Sequence, residues 1–207
     1  FNNNLRYNPD LPVSIYFMRE FENEGVLLSA ANSELPYILA SASHFNEEIK
    51  RDIIRNHNHY AMYVYSIKSN SFGNIKNFLN NPYVNYSLDN KDIFEIKTAI
   101  QRTSKIFFDS DVDSILFPIE NSGPIKNQKE AINLSESFEK KKLHLISVHG
   151  MSSMRHSSNS DCATNLYGKL NDYKNIIIND ASIVPGNTSE SPQATIMAFA
   201  KFVTKNI

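Results

Sequence analysis

Between Asp89 and Ser110 the sequence reads DNKDIFEIKTAIQRTSKIFFDS, and Ile93, Ile96, Ile100, Thr103 and Phe107 fall on one stripe of a helix. A helix that is apolar along a single stripe is stable only when another layer covers it. This segment therefore calls for a sheet on one side and water on the other. Asp89 or Asn90 is placed to cap its start.

Strands for that sheet lie upstream. VSIYFMREF (13 to 21) and GVLLSAA (25 to 31) are rich in β-branched, aromatic and aliphatic residues around a polar turn, and predict a hairpin. FNEEIKRDIIRNH (45 to 57) places Phe45, Ile49, Ile53 and Ile54 at helical spacing. HYAMYVYSIK (59 to 68) alternates Met62, Val64 and Ser66 with Tyr63, Tyr65 and Ile67, predicting a strand covered on both faces. Phe17, Tyr63 and Tyr65 read as core residues, with a substrate-facing role as the alternative.

Downstream of Gly73 a turn region leads to a short strand, PYVNYS (82 to 87). SILFPI (114 to 119) reads as another strand and NQKEAINLSESFEKK (127 to 141) as a polar helix. KLHLISVHG (142 to 150) reads as a strand that delivers His149 at its end. A polar, irregular stretch follows, then IIIND (176 to 180) as a buried strand and a final helix opened by Pro192. Up to about residue 145 this is an α+β pattern, whereas the apolar strand and capped helix of the tail read as a piece of a parallel α/β sheet.

Composition narrows the function. The 207 residues are 41% hydrophobic and 11% aromatic, ample for a core. A net charge of −1, a pI near 6.7 and lysines scattered except at Lys140 to Lys142 give no electrostatic footprint for nucleic acid. One cysteine, Cys162, excludes an internal disulfide framework and reads as an incidental thiol. No apolar run approaches the roughly 18 residues of a membrane helix, and FNNNLRYNPD is not a signal peptide, so a cytoplasmic location is the default. A chain that starts at Phe1 rather than Met reads as a fragment, with processing or trimming as the alternative.

Two features carry chemistry. In SESPQATIMAFAKFV, Ser191 is a good N-cap and Pro192 suits the first helical position. The N–H groups of Gln193, Ala194 and Thr195 then point out of the helix end and favour negative charge, although an ordinary capped helix has the same sequence. His149, at a predicted strand end, is either a structural histidine or a base.

The ordered series SVHGMSSMR, a polar loop, IIINDAS and SPQATIMA resembles the C-terminal end of the glucose-methanol-choline family of flavin oxidoreductases over residues 145 to 207. In that family a strand ends in a catalytic His followed by a pattern similar to His-Pro-x-Gly-Thr, and a later helix opens with Asn-Pro-x-x-Thr-x-x-Ala. SIKSNSFGNIKNF and NPYVNYSLDNKDIFEIKTAIQRTSKIF resemble the family's substrate domain. The resemblance implies an FAD enzyme that oxidises a small alcohol by hydride transfer to flavin N5, with His149 as the base and Ser191 as the second active-site residue. It implies further that Asp180 and Ala181 line the diphosphate and ribityl side of FAD, and that Gln193, Ala194, Thr195 and Ile196 line the pyrimidine edge. The helix N-terminus would then stabilise charge on the reduced flavin, as an oxyanion hole does.

Three departures stand out. Ser191 occupies the family's His or Asn position, and Ser152 and Ser153 replace Gly-Thr. The six glycines, at 25, 73, 123, 150, 168 and 186, never form G-x-G-x-x-G. The expectation is a C-terminal fragment without the dinucleotide-binding Rossmann unit. Residues 1–144 would be a substrate domain, an antiparallel sheet covered by helices, and residues 145–207 would complete an FAD domain. Alone, it should hold FAD weakly or not at all. Neither the alcohol nor the electron acceptor is specified. The competing readings are a non-catalytic relative on the same scaffold and, more remotely, a serine hydrolase using Ser152 or Ser153, which has no G-x-S-x-G elbow. His57 and His59 are two apart with nothing to complete a metal site.

Overall fold

The structure, a computed structural model, describes residues 17–18, 26–147, 149–157, 162–188 and 191–206. It contains two compact units, Phe1–Ile67 with Ile93–Ile146, and Lys68–Asp92 with Ser147–Ile207.

In the first unit β1 (Phe17–Met18), β2 (Val26–Ala30) and β3 (Tyr63–Ile67) form an antiparallel sheet in that order. The predicted hairpin is present, pairing Phe17 with Ser29 and Met18 with Leu28; the rest of residues 13 to 21 lies outside the described residues. β2 and β3 pair from Val26–Ile67 to Ala30–Tyr63. Between these strands run α1 (Leu35–Ser41), which sequence reasoning left unassigned, and α2 (Glu47–Arg55). The Asn46 side chain caps α2 by accepting from Ile49 N–H at 2.9 Å. Ile38, Ala42, Phe45 and Ile53 form a buried cluster under these two helices.

The long amphipathic helix is α3 (Asn90–Asp109), whose first turn, through Asp92, counts with the second unit. Its stripe is buried as expected: Ile96, Ala99 and Ile100 are fully inaccessible, and each isoleucine contributes roughly 1.5–3 kcal/mol by burial. Tyr65 and Ile67 of β3 pack on Ala99, and the Tyr63 and Phe107 rings meet at 4.7 Å, so both tyrosines serve packing. Thr103 and Ser104 are also buried on this helix. Their hydroxyls donate to Ala99 C=O at 2.6 Å and Ile100 C=O at 2.7 Å, which satisfies them within the helix. Cover on both faces of β3 is not found, since Tyr63 and Val64 remain 41% and 42% exposed.

The polar helix is α4 (Gln128–Ser137), capped by Asn127, which accepts from Glu130 N–H at 3.0 Å. Small buried residues, Ala131 and Ser135, let it approach α3 closely, where Gln101 Nε2 donates to Ser135 Oγ at 2.8 Å.

Among the described residues three predicted strands are absent. SILFPI and KLHLISVHG make only the isolated bridges Ile115–Ile125 and Ile119–Leu143. Pro118 lacks the N–H that a ladder needs, and Lys140–Lys142 turn into a single 3-10 turn. IIIND is neither buried nor a strand: Ile176 and Ile177 are 39% and 37% exposed, and Ile177 pairs only with Lys169. Its partner segment is itself a tight turn at Gly168, which ends the ladder after one pair. Among the described residues there is no C-terminal strand and no parallel sheet.

The second unit opens with a hairpin, β4 (Asn74–Phe78) and β5 (Asn81–Asn85), where the sequence read a turn and a strand. Leu79 and Asn80 form its turn, both at positive φ (50° and 64°), the conformation that two-residue hairpin turns require. Leucine is costly there and gains nothing in return, because its side chain is exposed. The Leu79→Asn variant is expected to be more stable by about 1 kcal/mol, read as a higher urea midpoint.

Asp92 anchors the hairpin. It is fully buried, accepts from Ser69 Oγ and Asn70 N–H at 2.8 Å each and from the Ser71 hydroxyl, while Asp89 caps its own N–H at 2.8 Å. The unit closes with α5 (Gln193–Lys205), whose Val203 is fully buried. Gly168 sits beneath it at φ 74°, where a Cβ would lie 2.5 Å from the Ile178 carbonyl and 3.2 Å from Val203 Cγ2.

Candidate functional site

His149, Ser191, Asp180, Ala181 and residues 193–196 all lie in the second unit. His149 and Gly150 are exposed, on an irregular segment rather than a strand end. Two residues on, Ser152 adopts φ 66°. This is the left-handed region, which glycine enters at no steric cost and other residues at about 1–2 kcal/mol. The resemblance places glycine here, so Ser152 accepts strain to keep a glycine-type turn. The Ser152→Gly variant is expected to leave the fold intact and to raise stability by up to about 1 kcal/mol, the gain being trimmed by the freer unfolded chain. Denaturant unfolding measures it.

After that turn the chain is pinned. Met154 N–H donates to Ser182 C=O at 3.0 Å and His156 N–H to Ile183 C=O at 3.1 Å. Thr164, fully buried, donates its hydroxyl to Met154 C=O at 3.3 Å and its N–H to Arg155 C=O at 3.4 Å. The segment after His149 is thereby held against the turn that contains Asp180 and Ala181.

That turn is a single 3-10 turn, Ala181–Ile183, capped by Asp180. The carboxylate accepts from Ser182 N–H at 2.8 Å and from Ser182 Oγ at 2.5 Å. These two bonds, the hydroxyl first, hold the Asp180 pKa below the usual carboxylate range.

Helix α5 begins one residue later than its sequence implied. Pro192, not Ser191, is the N-cap, and no side chain caps the end. The first helical bond runs from Ile196 N–H to Pro192 C=O at 2.8 Å, so the N–H groups of Gln193, Ala194 and Thr195 have no acceptor within the helix. Gln193 and Ala194 are exposed, Thr195 and Ile196 half-buried, and no acidic residue stands in the first turn. A helix N-terminus with no side-chain cap and three donors that lack an acceptor within the helix fits an electronegative group. The apolar body is only partly buried: Val203 is enclosed, while Met197 and Phe202 are exposed.

The pinned loop and the helix also meet. The His156 ring packs edge-on against Phe199 at 4.8 Å, and Asn179 Nδ2 donates to Thr204 Oγ1 at 3.2 Å. The structure thus brings together the loop after His149, the Asp180–Ala181 turn and α5. Ser191 is exposed just ahead of the helix, and among the described residues no hydrogen bond joins it to His149.

Sequence reasoning missed His156 and Thr164. Both ring nitrogens of His156 are enclosed, with no hydrogen-bond partner among the described residues. The signal available was a second histidine and a threonine flanking the polar loop, with nothing in their spacing to mark them. Among the described residues no group of three or more His, Cys, Asp or Glu could hold a metal ion, and no helix is long and apolar enough to cross a membrane.

Comparison with known proteins gives this geometry a context. The C-terminal pattern of the GMC oxidoreductase family matches residues 69–200. Uncharacterized GMC-type oxidoreductases of Mycobacterium tuberculosis, strains CDC 1551 / Oshkosh and ATCC 25618 / H37Rv, are each 22% identical over 129 residues, 62% of this chain and 20% of theirs. The crystal structure of pyridoxine 4-oxidase from Mesorbium loti is similar in fold, with a TM-score of 0.53 and 14% identity over 88% of this chain and 34% of that one. The chain therefore spans about a fifth of the length of the curated relatives it matches. The match across residues 69–200 shows that the chain belongs to the GMC oxidoreductase family, corresponding to the C-terminal part of its members.

Proposed function

We propose that this chain is the C-terminal portion of an FAD-dependent oxidoreductase that acts on CH–OH groups. In this reading residues 1–144 form the substrate domain and residues 145–207 complete the cofactor domain. The observation that carries it is the uncapped N-terminus of α5 in the unit that also holds the loop of His149. When bound, FAD supplies the hydride acceptor.

The chain's own residues do the rest. His149, exposed and free of core packing, takes the proton of the substrate hydroxyl as the C–H bond breaks. Ser191 donates or accepts a hydrogen bond at the substrate oxygen; a hydroxyl at this position positions rather than removes a proton. Asp180 and Ala181 would line the diphosphate and ribityl side. Gln193, Ala194, Thr195 and Ile196 would face the pyrimidine edge, where the N–H groups of Gln193, Ala194 and Thr195, which have no acceptor within the helix, would stabilise negative charge as it develops.

A non-catalytic relative is the second reading, motivated by Ser191 and by the strain at Ser152. The visible absorbance of oxidised flavin tests the first point. The longest natural polypeptide containing these residues is expected to carry flavin, and the 207-residue chain alone is expected to carry little or none. Flavin in neither would contradict the assignment, and flavin held firmly by the short chain would contradict the missing dinucleotide-binding part.

A further inference from the structure

Two side chains that the chemistry above does not use, Arg155 and Asn187, reach the same short stretch of chain in the second unit. Arg155 follows His149 on its loop, and its guanidinium carbon stands 5.8 Å from the centre of the Phe72 ring, close enough for a cation to be attracted to an aromatic face. Its backbone is held as well, because its carbonyl accepts from Thr164 N–H at 3.4 Å. Asn187 lies in the loop that leads to Ser191, and its Nδ2 donates to the Ser69 carbonyl at 3.2 Å across 118 residues of sequence. Both contacts are therefore tertiary.

The stretch they reach is ordered from within. Buried Asp92 accepts from Ser69 Oγ and Asn70 N–H at 2.8 Å each and from the Ser71 hydroxyl. Ser69 Oγ accepts from Ser71 N–H at 3.2 Å, and Ser71 Oγ accepts from Asp89 N–H at 2.8 Å. Residues 69–71 are thus fastened to the start of α3. Phe72 follows directly with its ring 72% exposed, so it offers Arg155 an open face.

We infer that Arg155 and Asn187 are positioning residues: they clamp the His149 loop and the Ser191 loop to the segment 69–72 that Asp92 orders, and so set the proton-accepting and substrate-oxygen contacts relative to each other. The inference rests on the function proposed above. His149 and Ser191 are both exposed, and among the described residues no hydrogen bond joins them, so their spacing is set by the loops that carry them. Each loop meets segment 69–72 through one side chain. Such contacts are individually weak, yet a displacement of about 1 Å between reacting groups can cost up to about 10²-fold in rate. The two arms act on different quantities. Phe72 and Arg155 govern the base and hence the limiting rate, whereas Asn187 governs Ser191 and hence the hold on the substrate oxygen.

Three variants of the flavin-loaded complete protein test this: Phe72→Leu, which keeps bulk but removes the aromatic face, Phe72→Tyr, which keeps the face, and Asn187→Ala, which removes the donor. Each is reduced anaerobically by whichever member of a panel of primary and secondary alcohols reduces the wild type fastest. Phe72→Leu is expected to lower the limiting rate about tenfold at an unchanged half-saturating alcohol concentration, and Phe72→Tyr to restore it. Asn187→Ala is expected to raise the half-saturating concentration roughly fivefold. Amide hydrogen exchange over residues 150–156 gives a readout apart from activity, and is expected to quicken in Phe72→Leu and recover in Phe72→Tyr. Flavin content and the urea midpoint should stay nearly unchanged, because Phe72 and Asn187 are exposed. A wild-type value in either Phe72→Leu or Asn187→Ala would overturn the clamp and leave the enzymatic reading standing. A rate loss that Phe72→Tyr does not restore, or one that comes with lost flavin or a lower midpoint, would reduce these residues to a structural role and overturn the proposal. A wild type whose bound flavin none of the alcohols reduces would overturn the enzymatic reading and the clamp with it.

Discussion

In the flavin-loaded complete protein, the His149→Ala variant is expected to retain its cofactor and fold while its rate of flavin reduction by alcohol falls by about 10² to 10⁴-fold, the usual contribution of a positioned general base. The loss corresponds to roughly 3–5 kcal/mol of transition-state stabilisation. Selectivity of the effect follows from exposure: His149 is exposed, so its removal should leave the unfolding midpoint nearly unchanged. Anaerobic stopped-flow reduction, with flavin content and unfolding measured on the same samples, separates the two quantities. Unchanged reduction would remove His149 from the base role.

The largest stability effect is expected at Asp92. Its carboxylate accepts from Ser69, Asn70 and Ser71 in a fully buried position, and Ser69 Oγ is in turn within 2.6 Å of the Tyr86 hydroxyl. The Asp92→Ala variant strands three donors at about 1 kcal/mol or more each, so a loss of about 3 kcal/mol is expected, visible as a drop in the urea midpoint. Burial by itself would raise the Asp92 pKa, but the hydrogen bonds from Ser71, Asn70 and Ser69 outweigh it and the net shift is downward from 3.8. The sign of the pH effect follows. Because the folded pKa lies below the unfolded one, the contribution is complete above about pH 4 and disappears as pH falls through the lower, folded value. The wild type should therefore lose stability relative to Asp92→Ala on acidification, and a constant difference between them down to pH 2 would contradict the account.

Periodicity made the amphipathic helices legible. For α2 and α3 the apolar stripes sufficed, and Asp89 caps α3 as expected; α4 was legible only as a polar segment, and the caps Asn46 and Asn127 came from the structure. Apolar runs without a ladder partner were not legible: SILFPI, KLHLISVHG and IIIND have strand composition, yet among the described residues they find only isolated bridges, two for SILFPI and one each for the others. β4 escaped notice for the opposite reason, since three of the five residues of NIKNF are asparagine or lysine and the strand is exposed throughout. At the candidate site, His149, Asp180 and the last helix were singled out from motifs in fixed order, whereas the turn at Asp180 was read as a strand. Ser152 shows why a departure from the motif is tolerated, since the backbone keeps the left-handed turn without glycine. His156, Thr164 and the Asp92 cluster depend on partners distant in sequence, and local pattern carries no trace of them.

Anaerobic mixing of the flavin-loaded complete protein with a panel of primary and secondary alcohols tests the central claim most directly. The account predicts that at least one of them bleaches the oxidised flavin, as hydride leaves the carbinol carbon while His149 takes the hydroxyl proton. Tightly bound flavin that no alcohol reduces, but that chemical reductants bleach normally, would contradict an oxidoreductase acting on CH–OH groups and leave the non-catalytic relative in its place.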